Sequence, residues 1–379
     1  YSSGSRRPEP DGAMSNPRIW LLSAYRADSH ARWVDGLVRR HPGFDWRRFE
    51  LPGRHFAWRI RGNPLSWLDD LDAAAIGDAV PDALVATSMV DLATLRGLHP
   101  CLAAVPTLLY FHENQFAYPR SERQTTSIDA QMVQLYAALA ADRVAFNSDY
   151  NRSSFLAGVD ALMRRMPDFV PEALGERIAA KSEVLPVPVD PIAPARDRDP
   201  ALIVWNHRWE YDKDPDLFAD AMGRLAERGV PFRLALLGPR GARPVAALAQ
   251  LRSALGDRIT VDAAADRTEY EAILGRAAIV VSTARHEFQG LAVLEAVSAG
   301  CIPIVPDALC YPEQFAACYR YPAGDAEALV ERLAGALAGR LDPPSVSDWT
   351  GPGPVAAWTT SLRRLTAIGR AGRPAAEPL

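Results

Sequence analysis

Lysine is nearly missing from this chain of 379 residues: of 42 lysines and arginines only Lys181 and Lys213 are lysine, leaving 40 arginines. A lysine at a chemically sensible position therefore carries more weight than usual. Cysteine is scarce too, four residues without a CxxC pair or zinc spacing, which excludes a disulfide framework and suits a reducing compartment, the cytoplasm. No apolar run approaches the ~18 residues of a membrane span, so no membrane partner is expected. The net charge of −4 rules out a global basic field, and a nucleic-acid partner would need a local patch. Dinucleotide, P-loop and nucleophile-elbow fingerprints are all absent, which argues against a dehydrogenase, an NTPase and an α/β-hydrolase. Neither lysine has a setting for a Schiff base. The three DxD spacings, Asp70-Leu-Asp72, Asp197-Arg-Asp199 and Asp212-Lys-Asp214, fall on a helix, in a linker and around a cation, so no metal and no cofactor are expected.

What is present alternates. After residues 1–17, read as a disordered leader or tag remnant, short apolar runs (from Arg18, Ala83, Val105 and Arg143) alternate with helical patterns (Asp28 to Arg40, with Ser29 as cap, Asp91 to Leu98, Ile128 to Ala141, and from Tyr150). A Pro-rich break at 191–200 follows, and the alternation restarts at Ala201 with strands near 232–238, 259–262, 279–283 and 302–306. Runs of this kind indicate parallel sheets covered on both faces. The chain therefore reads as α/β, two Rossmann-like doubly wound domains (18–190 and 201–345) facing across a cleft, with a C-terminal helix and tail at 346–379. Such folds bind ligands at the carboxyl ends of the strands.

Three segments place chemistry there. In Glu287-Phe-Gln-Gly290-Leu291 leading to Glu295, a strand exit supplies a carboxylate, and Gly290 opens a helix whose unpaired N–H groups form an anion site. The two carboxylates can accept hydrogen bonds from hydroxyls, as a sugar nucleotide offers. In Trp205-Asn-His-Arg208-Trp-Glu-Tyr-Asp-Lys213, Arg208 can fork two phosphate oxygens while Lys213 supplies a point charge, together neutralising a diphosphate. In Leu108-Leu-Tyr-Phe-His112-Glu113-Asn114-Gln115, a buried strand ends abruptly in polar residues, so His112 points into the cleft. Ser29 and His30 face the same region.

These spacings, Glu287-x7-Glu295, Arg208-x4-Lys213 and His112 after a first-half strand, resemble retaining glycosyltransferases of the two-Rossmann-domain (GT-B) type. The longer strings Leu108 to Pro119, Phe146-Asn-Ser148, Trp205 to Pro215 and Ser282 to Gly290 resemble the tRNA-queuosine mannosyltransferase family. The resemblance implies mannose transfer from GDP-mannose to queuosine in the anticodon of tRNA-Asp. It places Arg208 and Lys213 on the diphosphate, Glu287 on donor-sugar hydroxyls, Glu295 on the ribose and His112 beside the anomeric centre. Relatives typically carry Gly-Gly-Ser-His in the first loop where this chain has Ala27-Asp28-Ser29-His30, and Phe-Phe-Gly where it has Phe288-Gln289-Gly290.

An RNA acceptor needs cations outside the donor site. Between Arg18 and Arg61 ten arginines face four acids, a local excess of six, with Trp46, His55, Phe56 and Trp58 interleaved as stacking faces. Candidate acceptor contacts are Arg47, Arg48 and Arg54, with Ser29, His30, Glu113 and Asn114 at the cleft. Two other readings stay open: a retaining glycosyltransferase on a lipid, glycan or small-molecule acceptor, and a nonenzymatic RNA-binding relative. The oligomeric state is not legible in the sequence.

Overall fold

The computed structural model describes residues 16–77, 80–118, 127–241 and 245–371. Residues 1–15 of the expected leader, and the end of the tail, lie outside the described residues. Two six-stranded sheets, parallel throughout, carry the fold. The first contains β1 (Arg18–Arg26), β2 (Asp45–Pro52), β3 (Ala83–Thr87), β4 (Thr107–Phe111), β5 (Arg143–Phe146) and β6 (Ser182–Val184), in the order β2-β1-β3-β4-β5-β6. The second contains β7 (Asp199–Trp205), β8 (Arg233–Leu236), β9 (Ile259–Asp262), β10 (Ala277–Val281), β11 (Ile302–Pro306) and β12 (Arg320–Tyr321), in the order β12-β11-β10-β7-β8-β9. In each sheet the strand order reverses beside the first strand, the switch point at which the carboxyl ends splay apart and leave room for a ligand.

Burial follows the apolar runs. Residues of β3, β4 and β11 are buried along their whole length, as expected for strands covered on both faces. Apolar clusters flank both sides of each sheet, with Trp20, Trp67, Trp205 and Trp358 fully buried. Each such aromatic contributes several kcal/mol, since truncating one to alanine costs about 3–5 kcal/mol.

Several elements depart from the sequence reading. Strand β2, Asp-Trp-Arg-Arg-Phe-Glu-Leu-Pro, was not expected, because an edge strand with a charged outer face lacks the apolar run that announces a central strand. Helices Phe56–Ser66 and Ala326–Leu337 were also missed; Pro64 inside the first reads as a helix breaker. Ser29 does not cap its helix: the N-cap is Ala27, without a side-chain bond, and Ser29 sits exposed in the first turn. The second sheet begins at Asp199, inside the stretch read as linker.

The domains are stitched together around the cleft. Gln289 donates to the Val187 carbonyl and accepts from its N–H, both at 2.9 Å, so the glutamine in Phe288-Gln289-Gly290 grips the segment leading into the linker. Glu313 accepts from the Asp149 and Tyr150 N–H groups at 2.9 and 3.4 Å, closing the N-terminus of helix Asp149–Met163 from the other domain. The last helix, Pro352–Ala371, returns to the first domain, where Trp358 packs beside Trp33 and Tyr110 and donates to the Pro186 carbonyl at 2.9 Å.

Candidate active site

The donor-side cluster is built from the loops after β7 and β10. Lys213 lies in a short turn ended by Asp214, whose left-handed backbone (φ 49°) starts helix Pro215–Glu227 and whose side chain caps the Leu217 N–H. Lys213 is only 7% exposed, and its ammonium donates to the His286 carbonyl at 2.6 Å and to Glu287 at 3.2 Å, with Asp212 at 3.4 Å. Burial works against the charge on Lys213, but Glu287 and Asp212 outweigh it and raise its pKa. Burial likewise opposes ionisation of Glu287, yet Lys213, His207 and the Gly290 N–H pull its carboxyl down to about 2. Both groups are firmly ionised near neutrality. Arg208 reaches the cleft half exposed, paired with Glu210 at 2.9 Å and Asp212 at 3.5 Å.

Gly290 caps helix Leu291–Ser298 with φ 68°, and an added Cβ would stand 3.2 Å from the Tyr311 ring. Only glycine meets both demands without strain. The helix start therefore lies beside Glu287, and Glu295, one turn inside, accepts from Arg267 at 2.7 Å and from the Tyr270 hydroxyl at 2.9 Å. Asn206 donates to the same Tyr270 oxygen and to the Ala292 carbonyl, fixing the exit of β7 against this helix.

The opposite wall is neutral. His112 leaves β4 into a nest of rings, edge-on to Trp33 (4.5 Å), Tyr110 (4.7 Å) and His30 (4.5 Å). Burial, then His30, pushes its pKa well below the ordinary imidazole range, and burial holds His30 at about 4. Both rings are uncharged at neutral pH, and His112 Nε2 and His30 Nδ1 have no hydrogen-bond partner among the described residues. Glu113 is pushed by burial up to about 7, against the pull of Arg208 and Lys213 across the cleft. That pull places Glu113 opposite the donor cluster. Tyr118 closes the same gap, its ring 4.3 Å from His286 of the other domain.

Three acceptor-side expectations change. Asn114 is fully buried, its Nδ2 bonded to Asn151 and Ser154 and its Oδ1 to the Phe116 and Ala117 N–H groups, so it shapes the loop and has nothing left for an acceptor. Arg48 is tied to Asp35 at 2.6 Å, and Arg47 lies over Trp20 and Phe49. Of the three arginines only Arg54 is exposed without an ion pair among the described residues.

Sequence reasoning missed His207 and His286. Both are buried beside the Lys213–Glu287 pair, both are held at about 4, chiefly by burial and then by Lys213, and among the described residues both leave Nε2 without a partner. The signal was there. At each of three strand exits a histidine stands directly before a charged site residue: His112-Glu113, His207-Arg208, His286-Glu287.

Comparison with known proteins follows this geometry. Residues 18–189 match the family model "tRNA-queuosine alpha-mannosyltransferase N-terminal", and residues 190–347 match "Glycosyl transferases group 1". The tRNA-queuosine alpha-mannosyltransferase of Drosophila melanogaster is 35% identical over 314 residues, 79% of this chain and 82% of the fly protein. The chain belongs to the tRNA-queuosine alpha-mannosyltransferase family. It is a glycosyltransferase of GT-B architecture. Sucrose-phosphate synthase from Thermosynechococcus elongatus superposes with a TM-score of 0.67 at 16% identity, covering 93% of this chain and 99% of that one. Anabaena HepE, solved with UDP, gives 0.60 at 11% identity, covering 94% and 98%. These two likenesses establish the fold alone. In this chain Lys213 joins Glu287 and Asp212, and Arg208 joins them through Asp212, while Glu295 is held separately by Arg267 and Tyr270. Among the described residues no helix is long and apolar enough to cross a membrane.

Proposed function

We propose that this chain transfers mannose from GDP-mannose to queuosine in the anticodon of tRNA, with retention at the anomeric carbon, in the cytoplasm. The observation that carries the reading is the 35% identity to the fly tRNA-queuosine alpha-mannosyltransferase across most of both chains. The ionised Lys213–Glu287 pair at the start of helix Leu291–Ser298 supports it.

In this reading the bond between the anomeric carbon and the β-phosphate oxygen breaks, and the electron pair leaves with GDP. Arg208, Lys213 and the helix N–H groups face that developing charge, which is preorganised electrostatic stabilisation. They balance the diphosphate without a metal. Glu287, ionised throughout, accepts from mannose hydroxyls, and Glu295 accepts from the ribose. His112, neutral, lies against the anomeric centre without adding a positive charge next to an oxocarbenium-like carbon. The queuosine hydroxyl forms the new carbon–oxygen bond from the face GDP leaves, and its proton passes to the departing phosphate oxygen.

The test is incubation of the protein with labelled GDP-mannose and tRNA from queuosine-sufficient or queuosine-deficient cells, with and without EDTA. Label should enter only the first tRNA pool and EDTA should not abolish it. Transfer to lipid or to a small molecule without RNA would replace the acceptor, and activity lost to EDTA and restored by Mg²⁺ would remove the charge balance drawn here.

A further inference from the structure

Eight of the nine tryptophans are buried or half-buried, whereas Trp58 is 52% exposed. It stands at the end of an unbroken exposed run, Pro52 to Trp58, that leaves the carboxyl end of β2 and so borders the cleft. Phe56 in the same run packs edge-on to Tyr25 at the end of β1, 6.0 Å between ring centres, just before the loop to His30. The indole is not loose. A Cβ added at Gly62, one helical turn on, would lie 2.6 Å from the Trp58 ring, so the ring rests flat on its helix over a glycine that makes room for it. One aromatic face is fixed against protein and the other is turned to solvent.

The surroundings are cationic. From residue 51 to 68 the chain carries Arg54, His55, Arg59 and Arg61 and no acid. The acid before this stretch, Glu50, is already held by Arg26 at 2.7 Å, and Asp91 by Arg61 at 2.9 Å. Arg61 is thereby neutralised, which leaves Arg54 and Arg59 without an ion pair among the described residues; a rigid aromatic face beside such charge is the combination that takes an unpaired base and its phosphate.

We propose that Trp58, seated on Gly62 and flanked by Arg54 and His55, is a stacking platform for an unpaired base of the acceptor RNA loop. This rests on the tRNA acceptor of the proposed function and adds where the loop docks. Arg47 and Arg48, committed within the fold, are not part of the platform.

The experiment measures binding of a labelled anticodon stem-loop RNA to the full chain and to Trp58→Ala, Trp58→Phe and Gly62→Ala, alongside a fully paired RNA of equal length. Trp58→Ala should weaken stem-loop binding about tenfold or more, Trp58→Phe should recover part of the loss, and the paired RNA should show no such dependence. Gly62→Ala should also weaken binding, although alanine favours a helix over glycine, because the indole must lift. GDP-mannose binding on the same variants checks that the fold is intact. If Trp58→Ala binds the stem-loop as tightly as wild type while wild type still mannosylates tRNA, the platform is wrong and the function stands. If wild type neither binds the stem-loop nor modifies tRNA, the function itself falls, and the platform with it. A Trp58→Ala variant that loses only self-association would make this face a contact between copies of the chain and overturn the proposal.

Discussion

The two walls of the cleft are built on the same parallel sheet and carry opposite electrostatics. On the second domain Arg208, Asp212, Lys213 and Glu287 form a connected set of full charges, and Glu295 is held in turn by Arg267 and Tyr270. On the first domain His112 and His30 are neutral rings packed among aromatics. The contrast divides the labour of a group transfer. Charge that develops on the leaving group meets prepaid charge on one wall, while the reacting carbon and the incoming hydroxyl meet a wall that adds none. A cation such as protonated His112 would raise the energy of a carbon that itself becomes positive, and burial of the ring prevents it.

The sharpest way to break this contrast is to change the shape of the charge on the donor wall. Lys213→Arg keeps the sign but replaces a compact ammonium, wedged between the His286 carbonyl, Glu287 and Asp212, with a planar fork that does not fit a nearly closed site. Transfer should fall at least about tenfold in kcat/KM, ~1.4 kcal/mol of transition-state stabilisation. Turnover equal to wild type would mean that Lys213 is only a structural ion pair.

The carboxyl of Glu113 on the neutral wall tests the contrast through stability rather than turnover. Glu113 ionises near 4.5 when unfolded and at about 7 in the fold. Between those values the folded chain holds a proton that the unfolded chain has released, so the stability Glu113 contributes falls as pH rises and is fully lost above 7. Glu113→Gln removes this drag. It should stabilise the protein at pH 8 by on the order of 3 kcal/mol and leave it nearly unchanged at pH 4.5, as urea melts at the two pH values will show. The buried histidines act in the other direction: His30, His207 and His286, held at about 4, cost stability as pH falls from 6.5 towards 4. An equal effect of Glu113→Gln at both pH values would place Glu113 in ordinary solvent.

How much of this was legible in the sequence follows from the same contrast. The donor wall could be read because its residues lie in two short strings at strand exits, where local spacing fixes which side chains meet: Arg208 with Lys213, Glu287 with Gly290. The rarity of lysine pointed to Lys213 before any geometry was known. The acceptor wall could not be read as well, because its partners are far apart in the chain. Nothing local says that Asp35 takes Arg48, that Asn151 consumes Asn114, or that His30 lies against His112. Strand β2 escaped for a related reason, since its charged outer face masks the pairing with β1 that makes it a strand. Arg47, Arg48 and Arg54 looked equivalent as a run of cations, and only tertiary pairing separates them.

That separation gives the smallest effect and the finest comparison. Arg48 is tied to Asp35 and lies 3.6 Å from Glu50, so Arg48→Ala should leave tRNA affinity within about twofold and shift stability by less than ~1 kcal/mol, the usual worth of an exposed pair. Arg54 has its charge free for a phosphate. If it holds one phosphate of an unpaired loop, Arg54→Ala should reduce the slope of log affinity against log salt by about 0.7 and weaken binding several-fold at low salt. GDP-mannose affinity should be the same in both variants, because the donor contacts belong to the other domain. The decisive measurement is the pair of slopes under identical conditions. Equal slopes for the two variants would mean either that Asp35 releases Arg48 when RNA arrives, or that neither arginine touches it. Affinity separates these cases: a loss in both variants admits Arg48 to the interface, and no loss in either moves the phosphate contacts off this edge of the first domain.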